Sequence, residues 1–293
     1  MPARGPVHSR EHAVVPPPTA RLTGRAIGLD IGGTGIKAAV VDLATGRLVT
    51  DRVRELTPRP AGPEAVLDVV ASVVQSLEAT GALTSEMPAG AGFPSVIRAG
   101  RAMTAVHGDP SWIDLDVQQM LTERLSRPIV VINDADAAGV AEIAYGAGKG
   151  QPGVVLLLDL GTGIGSALFT NGQLVPNVQL GHVEFHGREA EDRLSPVARK
   201  RRRIDLRQWA GEFNELLARY EEYIWPDLII IGGGIAKEFS KYQKFLRTSA
   251  PLVAAAMGNT AGIVGAARVG ENAARASGVS HGDHATEGRY STS

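Results

Sequence analysis

The chain has 293 residues, enough for one large core or for two domains. Apolar residues make up 44% and charged residues 21%, the composition of a folded protein rather than a disordered one. A formal net charge of −1 argues against general attraction to nucleic acid or membrane, and the lack of cysteine excludes disulfides, thiol catalysis and thiolate zinc sites.

Residues 1–24 carry basic side chains and the cluster Pro16-Pro17-Pro18 but no apolar h-region, so they read as a disordered lead-in and not a secretory signal. No apolar run reaches the length of a membrane span. From Ala26 an apolar strand reaches Asp30, a glycine-rich turn follows, and a second apolar strand runs from Ile36 to Val41. These glycines lead into a strand, which separates the loop from Walker and dinucleotide fingerprints. Gly32, Gly33 and Gly35 can aim backbone N–H groups at a phosphate, or can serve only a tight hairpin. Pro63 to Ala79 has the spacing of an amphipathic helix that starts at a proline. Ala89 to Ile97 is a strand broken at Phe93-Pro94, followed by a β-excursion as far as His107. A short helix runs from about Val117 to Leu125.

The stretch Ile129 to Glu142 is the centre of the reading. Four β-branched residues, Ile129 to Ile132, end at Asn133-Asp134, and ADAAGVAEIA then has helical composition. Asp134 therefore stands at the carboxyl end of a buried strand, where open α/β sheets bind ligands. The same carboxylate can be a helix cap and nothing more.

Val154 to Val175 repeats the first hairpin. The pattern of apolar strand, Asp, glycine turn, Thr-Gly-Ile and apolar strand recurs 129 residues on, with Asp159 in the place of Asp30. Two copies of one device predict a duplicated fold with two phosphate loops facing each other across a cleft.

In Asn177 to Asp192, His182, Glu184 and His186 alternate, so a strand would put them on one face. That face suits a metal or, as we prefer beside the phosphate loops, sugar hydroxyls. Arg199 to Arg203 is a run of five cations, a solvated surface or a functional one. Leu206 to Tyr223 is a helix burying Trp209, Phe213, Leu216 and Leu217. Asp227 to Ala236 is a buried strand whose three glycines precede a helix and permit close approach of a phosphate ligand. Ala261 to Arg275 is a small-residue helix. The tail, 277–293, reads as disordered, and its His281 and His284 as incidental.

The segments LDIGGTGIKAAV, VINDADAA, LDLGTGIGSALF, QLGHVE and IIIGGGIA together resemble a ROK-type sugar kinase of the actin-like superfamily. The resemblance runs from about Ala26 to Gly270. GFPSVI, PSWI, YGAGKGQPGVV and HGREAE are similar to the polyphosphate-using glucokinases of actinobacteria. It implies an α/β, actin-like (ribonuclease H-like) duplicated fold with two domains around a central cleft. Residues 25–134 with about 260–276 would form the smaller domain, and 135–259 the larger. It also implies a cytoplasmic homodimer that phosphorylates glucose from inorganic polyphosphate or ATP with Mg²⁺, without structural zinc, nucleic acid or membrane.

Matched position by position, Asp134 is the catalytic base. Asn133, Gln179, His182, Glu191, Phe93 and Pro94 fall at sugar-binding positions. Asp30, Gly32, Gly33, Thr34 and Lys37 belong to one phosphate loop, Gly161, Thr162 and Gly163 to the other, and Gly232, Gly233 and Gly234 to the donor's far end. Asp30 and Asp159 would hold Mg²⁺ through water. Three positions depart from the pattern: Gln179 replaces a usual Glu, Asp114 replaces a Gly of the polyphosphate-using branch, and Arg199 to Arg203 has no counterpart. Lys37, Lys149, Lys237 and that run are the cations available to a polyanion. The rival implied by the same family, a sugar-sensing repressor, would need a helix-turn-helix domain that residues 1–24 are too few and too proline-rich to supply.

Overall fold

The computed structural model describes residues 24–105 and 109–277. The lead-in before Gly24, His107, and the tail with His281 and His284 lie outside the described residues. Among the described residues no helix is long and apolar enough to cross a membrane.

β1 (Arg25–Gly32) and β2 (Gly35–Asp42) form the first hairpin, in register from Arg25–Asp42 to Gly32–Gly35. β3 (Arg47–Leu48) and β4 (Val53–Glu55) both pair with β2. After α1 (Pro63–Glu78), β5 (Ala89–Phe93) lies parallel to β1. The excursion is a small hairpin of β6 (Ile97–Arg98) and β7 (Arg101–Ala102), and α2 (Val117–Leu125) leads into β8 (Ile129–Asn133), parallel to β5. The main path of this sheet is β3-β2-β1-β5-β8.

α3 (Asp134–Tyr145) carries the chain to a second antiparallel set, β9 (Val154–Leu160), β10 (Ile164–Thr170) and β11 (Gln173–Val175). Three helices follow, α4 (Ala190–Leu194), α5 (Pro196–Arg202) and α6 (Leu206–Ile224). β12 (Leu228–Gly232) lies parallel to β9. After α7 (Phe239–Tyr242), β13 (Leu252–Ala254) adds parallel to β12, and α8 (Ala261–Ala276) ends the described chain. The order β11-β10-β9-β12-β13 repeats the first sheet: a hairpin with a short edge strand, then two parallel strands.

Strand parity decides what each face meets. On β1, Ile27, Leu29 and Ile31 point to a core shared with α1 and α2, whereas Ala26 points to a central core shared with α3 and α8. On β9, Leu156, Leu158 and Leu160 face α6, while Val155 and Leu157 face the central core. Period two then puts Asp30 on the face of Ala26, and Asp159 on the face of Val155 and Leu157. The two carboxylates therefore end their strands on the same inner layer.

Glycine lets that layer close. A Cβ on Gly28 would collide with the Ile263 carbonyl, one on Gly90 with that of Ala266, and one on Gly265 with that of Ala137. α8 thus touches the first sheet and α3 backbone to backbone. Gly265→Ala should lower unfolding stability by about 3 kcal/mol in urea titration, because neither backbone can yield cheaply. Gly211 in α6 has nothing within 4 Å of an added Cβ, so Gly211→Ala should stabilise by about 0.5–1 kcal/mol.

Candidate active site

A cavity of about 280 Å³ opens between the two hairpins. Asp30, Thr34 and Lys37 reach it from the first hairpin, Asp159 and Gly161 from the second, Asp134 from the β8–α3 junction, and Gly232, Gly233 and Gly234 from the end of β12. Gly32, Gly33, Thr162 and Gly163 are at the hairpin tips beside it. The helix expected after the three glycines is a 3-10 turn, Gly234–Glu238, and the long helices that begin at the cavity are instead α3, at Asp134, and α8, at Ala261.

Asp134 is not the residue that caps α3. Asn133 caps α3, its Oδ1 accepting from the N–H groups of Ala135 at 3.0 Å and Asp136 at 3.1 Å. Asp134 accepts from Ala135 N–H at 2.9 Å with one oxygen, and its carboxyl still lines the cavity. Burial, with Asp159 and Asp30 adding repulsion, pushes its pKa up to about 7. Asp159 is raised to about 6, mainly by burial and then by Asp30. Lys37 Nζ, 2.6 Å from Asp30 Oδ2, is among the described residues the only cation lining the cavity. Its counterpart in the second hairpin is Gly165, the residue opposite Asp159 as Lys37 is opposite Asp30. Four carboxylates, Asp30, Asp134, Asp159 and Glu142, line the cavity around one ammonium, and a divalent cation such as Mg²⁺ would find hard oxygen ligands there, Asp30 and Asp159 being the residues that would hold it.

Beyond Asp134 lies a second group of residues. Asn133 Nδ2 donates to Ser95 O at 3.1 Å, and since its oxygen is committed to the cap, one N–H remains for a ligand. Gln179 and His182 flank Gly181, where any Cβ would strike the Ile164 carbonyl, so this segment packs directly on the start of β10. Glu191 Oε2 accepts from Ile164 N–H at 3.1 Å, and His182 Nδ1 lies 2.8 Å from Glu189 Oε2. The ligand atoms of His182, Glu189 and Glu191 lie within 4.8 Å of one another.

Two expectations need correction. Phe93 does not offer its ring to a ligand. It is 1% exposed and packs edge-on against Trp112 at 4.9 Å, because parity puts it on the outer face with Ala89 and Ala91. Pro94 beside it is half-buried. His182, Glu184 and His186 do not share a strand face: Leu180–His182 is a 3-10 turn and His186 has φ +53°. His186 turns instead to Glu215, 2.8 Å away. Asp114 has φ +64°, the left-handed region that favours glycine, which accounts for a Gly preference there.

The ROK family matches residues 26–191. The polyphosphate glucokinase of Mycobacterium tuberculosis is 43% identical over 251 residues, spanning 85% of this chain and 92% of that protein. The chain belongs to the ROK family. The polyphosphate glucokinase of Mycobacterium leprae is 43% identical over 86% of this chain and 77% of its own. The inorganic polyphosphate/ATP-glucomannokinase of Arthrobacter sp. strain KM superposes with a TM-score of 0.82 at 45% identity, over 86% of this chain and all of the other. The duplicated sheets are thus the actin-like two-domain fold of ROK sugar kinases.

Two buried carboxylates of this ROK chain went unread in the sequence. Glu142, 0% exposed, accepts from the N–H groups of Ala147 at 2.8 Å, Ala256 at 3.1 Å and Met257 at 2.7 Å, pinning the loop before α8. Asp136, also 0% exposed, accepts from Asn177 N–H at 2.8 Å, while its Oδ1 has no partner. The signal was present: two acids in a helix of small residues with no cation to pair them. Burial pushes Asp136 up to about 7 against the Asn177 N–H, with Asp134 adding to the rise. Folding therefore raises this pKa, and stability is lost as pH climbs from about 4 to 7. Asp136→Asn should gain on the wild type across that window by on the order of 2 kcal/mol and hold the gain above it. Urea titrations at stepped pH check this, and a pH-independent difference would contradict it.

Proposed function

We propose that this ROK protein transfers the terminal phosphoryl group of inorganic polyphosphate, with ATP as a second donor, to the 6-hydroxyl of glucose. The observation that carries the reading is the meeting of a carboxyl raised to about 7 with two glycine hairpins in one cavity. A 43% identity to polyphosphate glucokinases over most of both chains supports the choice of substrates.

Phosphoryl transfer asks little of a protein covalently. It needs an aligned nucleophile, a base for its proton, and groups that neutralise the donor oxygens. Asp134 takes the proton of the 6-hydroxyl. That oxygen bonds to the terminal phosphorus as the bond to the bridging oxygen breaks, and the shortened polyphosphate or ADP leaves with the electron pair. A pKa near working pH keeps Asp134 ionised enough to act yet basic enough to pull. Lys37 and the backbone of Gly32, Gly33, Thr34, Gly161, Thr162 and Gly163 would hold the terminal phosphates, and Gly232 to Gly234 the donor beyond them. Asp30 and Asp159 would hold Mg²⁺ through water, and the chemistry it would supply there is charge neutralisation at the donor oxygens. The spare N–H of Asn133, with Gln179, His182, Glu191 and the edge at Pro94, would orient the sugar. Residues 25–134 with about 260–276, and 135–259, would act as two domains whose closure excludes water as a competing acceptor. A cytoplasmic homodimer belongs to the same reading.

A coupled assay for glucose 6-phosphate with polyphosphate, ATP or no sugar tests this directly. Product should require glucose and either donor. Asp134→Asn should cut turnover by at least ~10² while glucose affinity stays within a few-fold. Near-normal turnover in that variant would remove Asp134 from the role.

A further inference from the structure

The chain is near neutral overall, but its charge is sorted. Residues 196–207 and 237–247 together carry ten cations against two carboxylates, in a protein of formal net charge −1. The two segments adjoin in space. Glu238 is held below the usual carboxylate range first by Lys241, 3.1 Å away, and further by Arg199 and Lys200 of α5. Arg207 and Lys244 stand over the same Phe245 ring, at 5.9 and 5.1 Å. This face also starts at the cavity: Gly234 lines it and opens the 3-10 turn that carries Lys237.

Some of these cations already have structural work. Arg202 makes a two-pronged pair with Glu212 at 2.7 and 2.8 Å, and Arg201 donates to Asp192 O at 2.8 Å. Lys200, Arg203 and Lys237 are different. They are exposed and make no direct ion pair among the described residues. Holding unpaired like charges together costs free energy through mutual repulsion, and an anion spanning them would relieve it.

We infer that the face formed by α5 and the 3-10 turn after Gly232–Gly234 binds the distal phosphates of an extended inorganic polyphosphate donor. The inference rests on the donor reading above and adds where the chain goes after leaving the cleft. A nucleotide donor has its phosphates in the cavity and presents an uncharged nucleoside beyond them, so this face can do little for ATP. A polyphosphate continues as one negative charge after another, and its successive repeats can meet the cations of this face. The face thus discriminates by donor length, whereas Lys37 acts on whatever phosphate is terminal.

The test uses the full chain with Lys200→Ala, Arg203→Ala and Lys237→Ala combined. The KM for long-chain polyphosphate should rise about tenfold or more and its salt dependence should flatten, while kinetics with tripolyphosphate and ATP stay within about twofold. An unchanged long-chain KM with intact ATP turnover would overturn the inference. If ATP turnover also falls, the single exposed change Lys200→Glu gives the same reading with less disturbance. Direct binding of long-chain polyphosphate without glucose keeps the two proposals apart. If the wild type uses only ATP, the donor reading fails, yet tight polyphosphate binding lost in the variant would still support the face. Equal binding by both proteins would overturn it.

Discussion

Four carboxylates, Asp30, Asp134, Glu142 and Asp159, line one cavity with, among the described residues, a single ammonium group, Lys37, to oppose them. That unbalanced charge is the constraint from which the rest of the structure follows. Like charges in a partly dry cleft raise one another's pKa, and Asp134 at about 7 and Asp159 at about 6 carry the mark of it. Such a cluster persists only if stiff elements hold it. Here the holders are two strand ends and a helix start, braced by α8 in backbone contact with β1, β5 and α3 through Gly28, Gly90 and Gly265. The folding energy sits in the three apolar layers, and the cleft draws on it.

The two hairpins are copies in backbone and unlike in chemistry. In the first, Lys37 stands across from Asp30. In the second, Gly165 stands across from Asp159, and a Cβ there would press on Ala135 at the start of α3. One copy has become the cation-bearing side and the other the close-packed side. That division lets the second hairpin lie against the helix that presents Asp134, which brings the Asp134 carboxyl and both hairpins to one cavity. Glu142 extends the arrangement, tying the far end of α3 to the loop that leads into α8.

Much of this was legible in the sequence because it rests on short-range rules. Apolar runs and the Asp-plus-glycine turn marked both hairpins, apolar spacing marked α1 and α6, and small residues marked α8. Where inference failed, the missing information was three-dimensional. Phe93 could be assigned to a ligand or to the core only by knowing which face of β5 meets α1. The alternation of His182, Glu184 and His186 assumed a strand where the chain makes a 3-10 turn at Leu180–His182 and a left-handed step at His186. That Asn133 and not Asp134 caps α3 depends on side-chain directions that no spacing reveals. Asp136 and Glu142 stood out as unpaired acids in a helix of small residues, but their partners, backbone N–H groups up to 115 residues away, could not be read.

The account stands on one geometric claim, that Asp134 and both hairpins act on the same donor–acceptor pair. A crystal structure with glucose and a non-transferable donor analogue tests it most directly. The account predicts the 6-hydroxyl about 2.6–3.2 Å from an Asp134 oxygen, with the terminal phosphates gripped by backbone N–H groups of both hairpins. A donor held by one hairpin alone, or a sugar hydroxyl out of reach of Asp134, would contradict it.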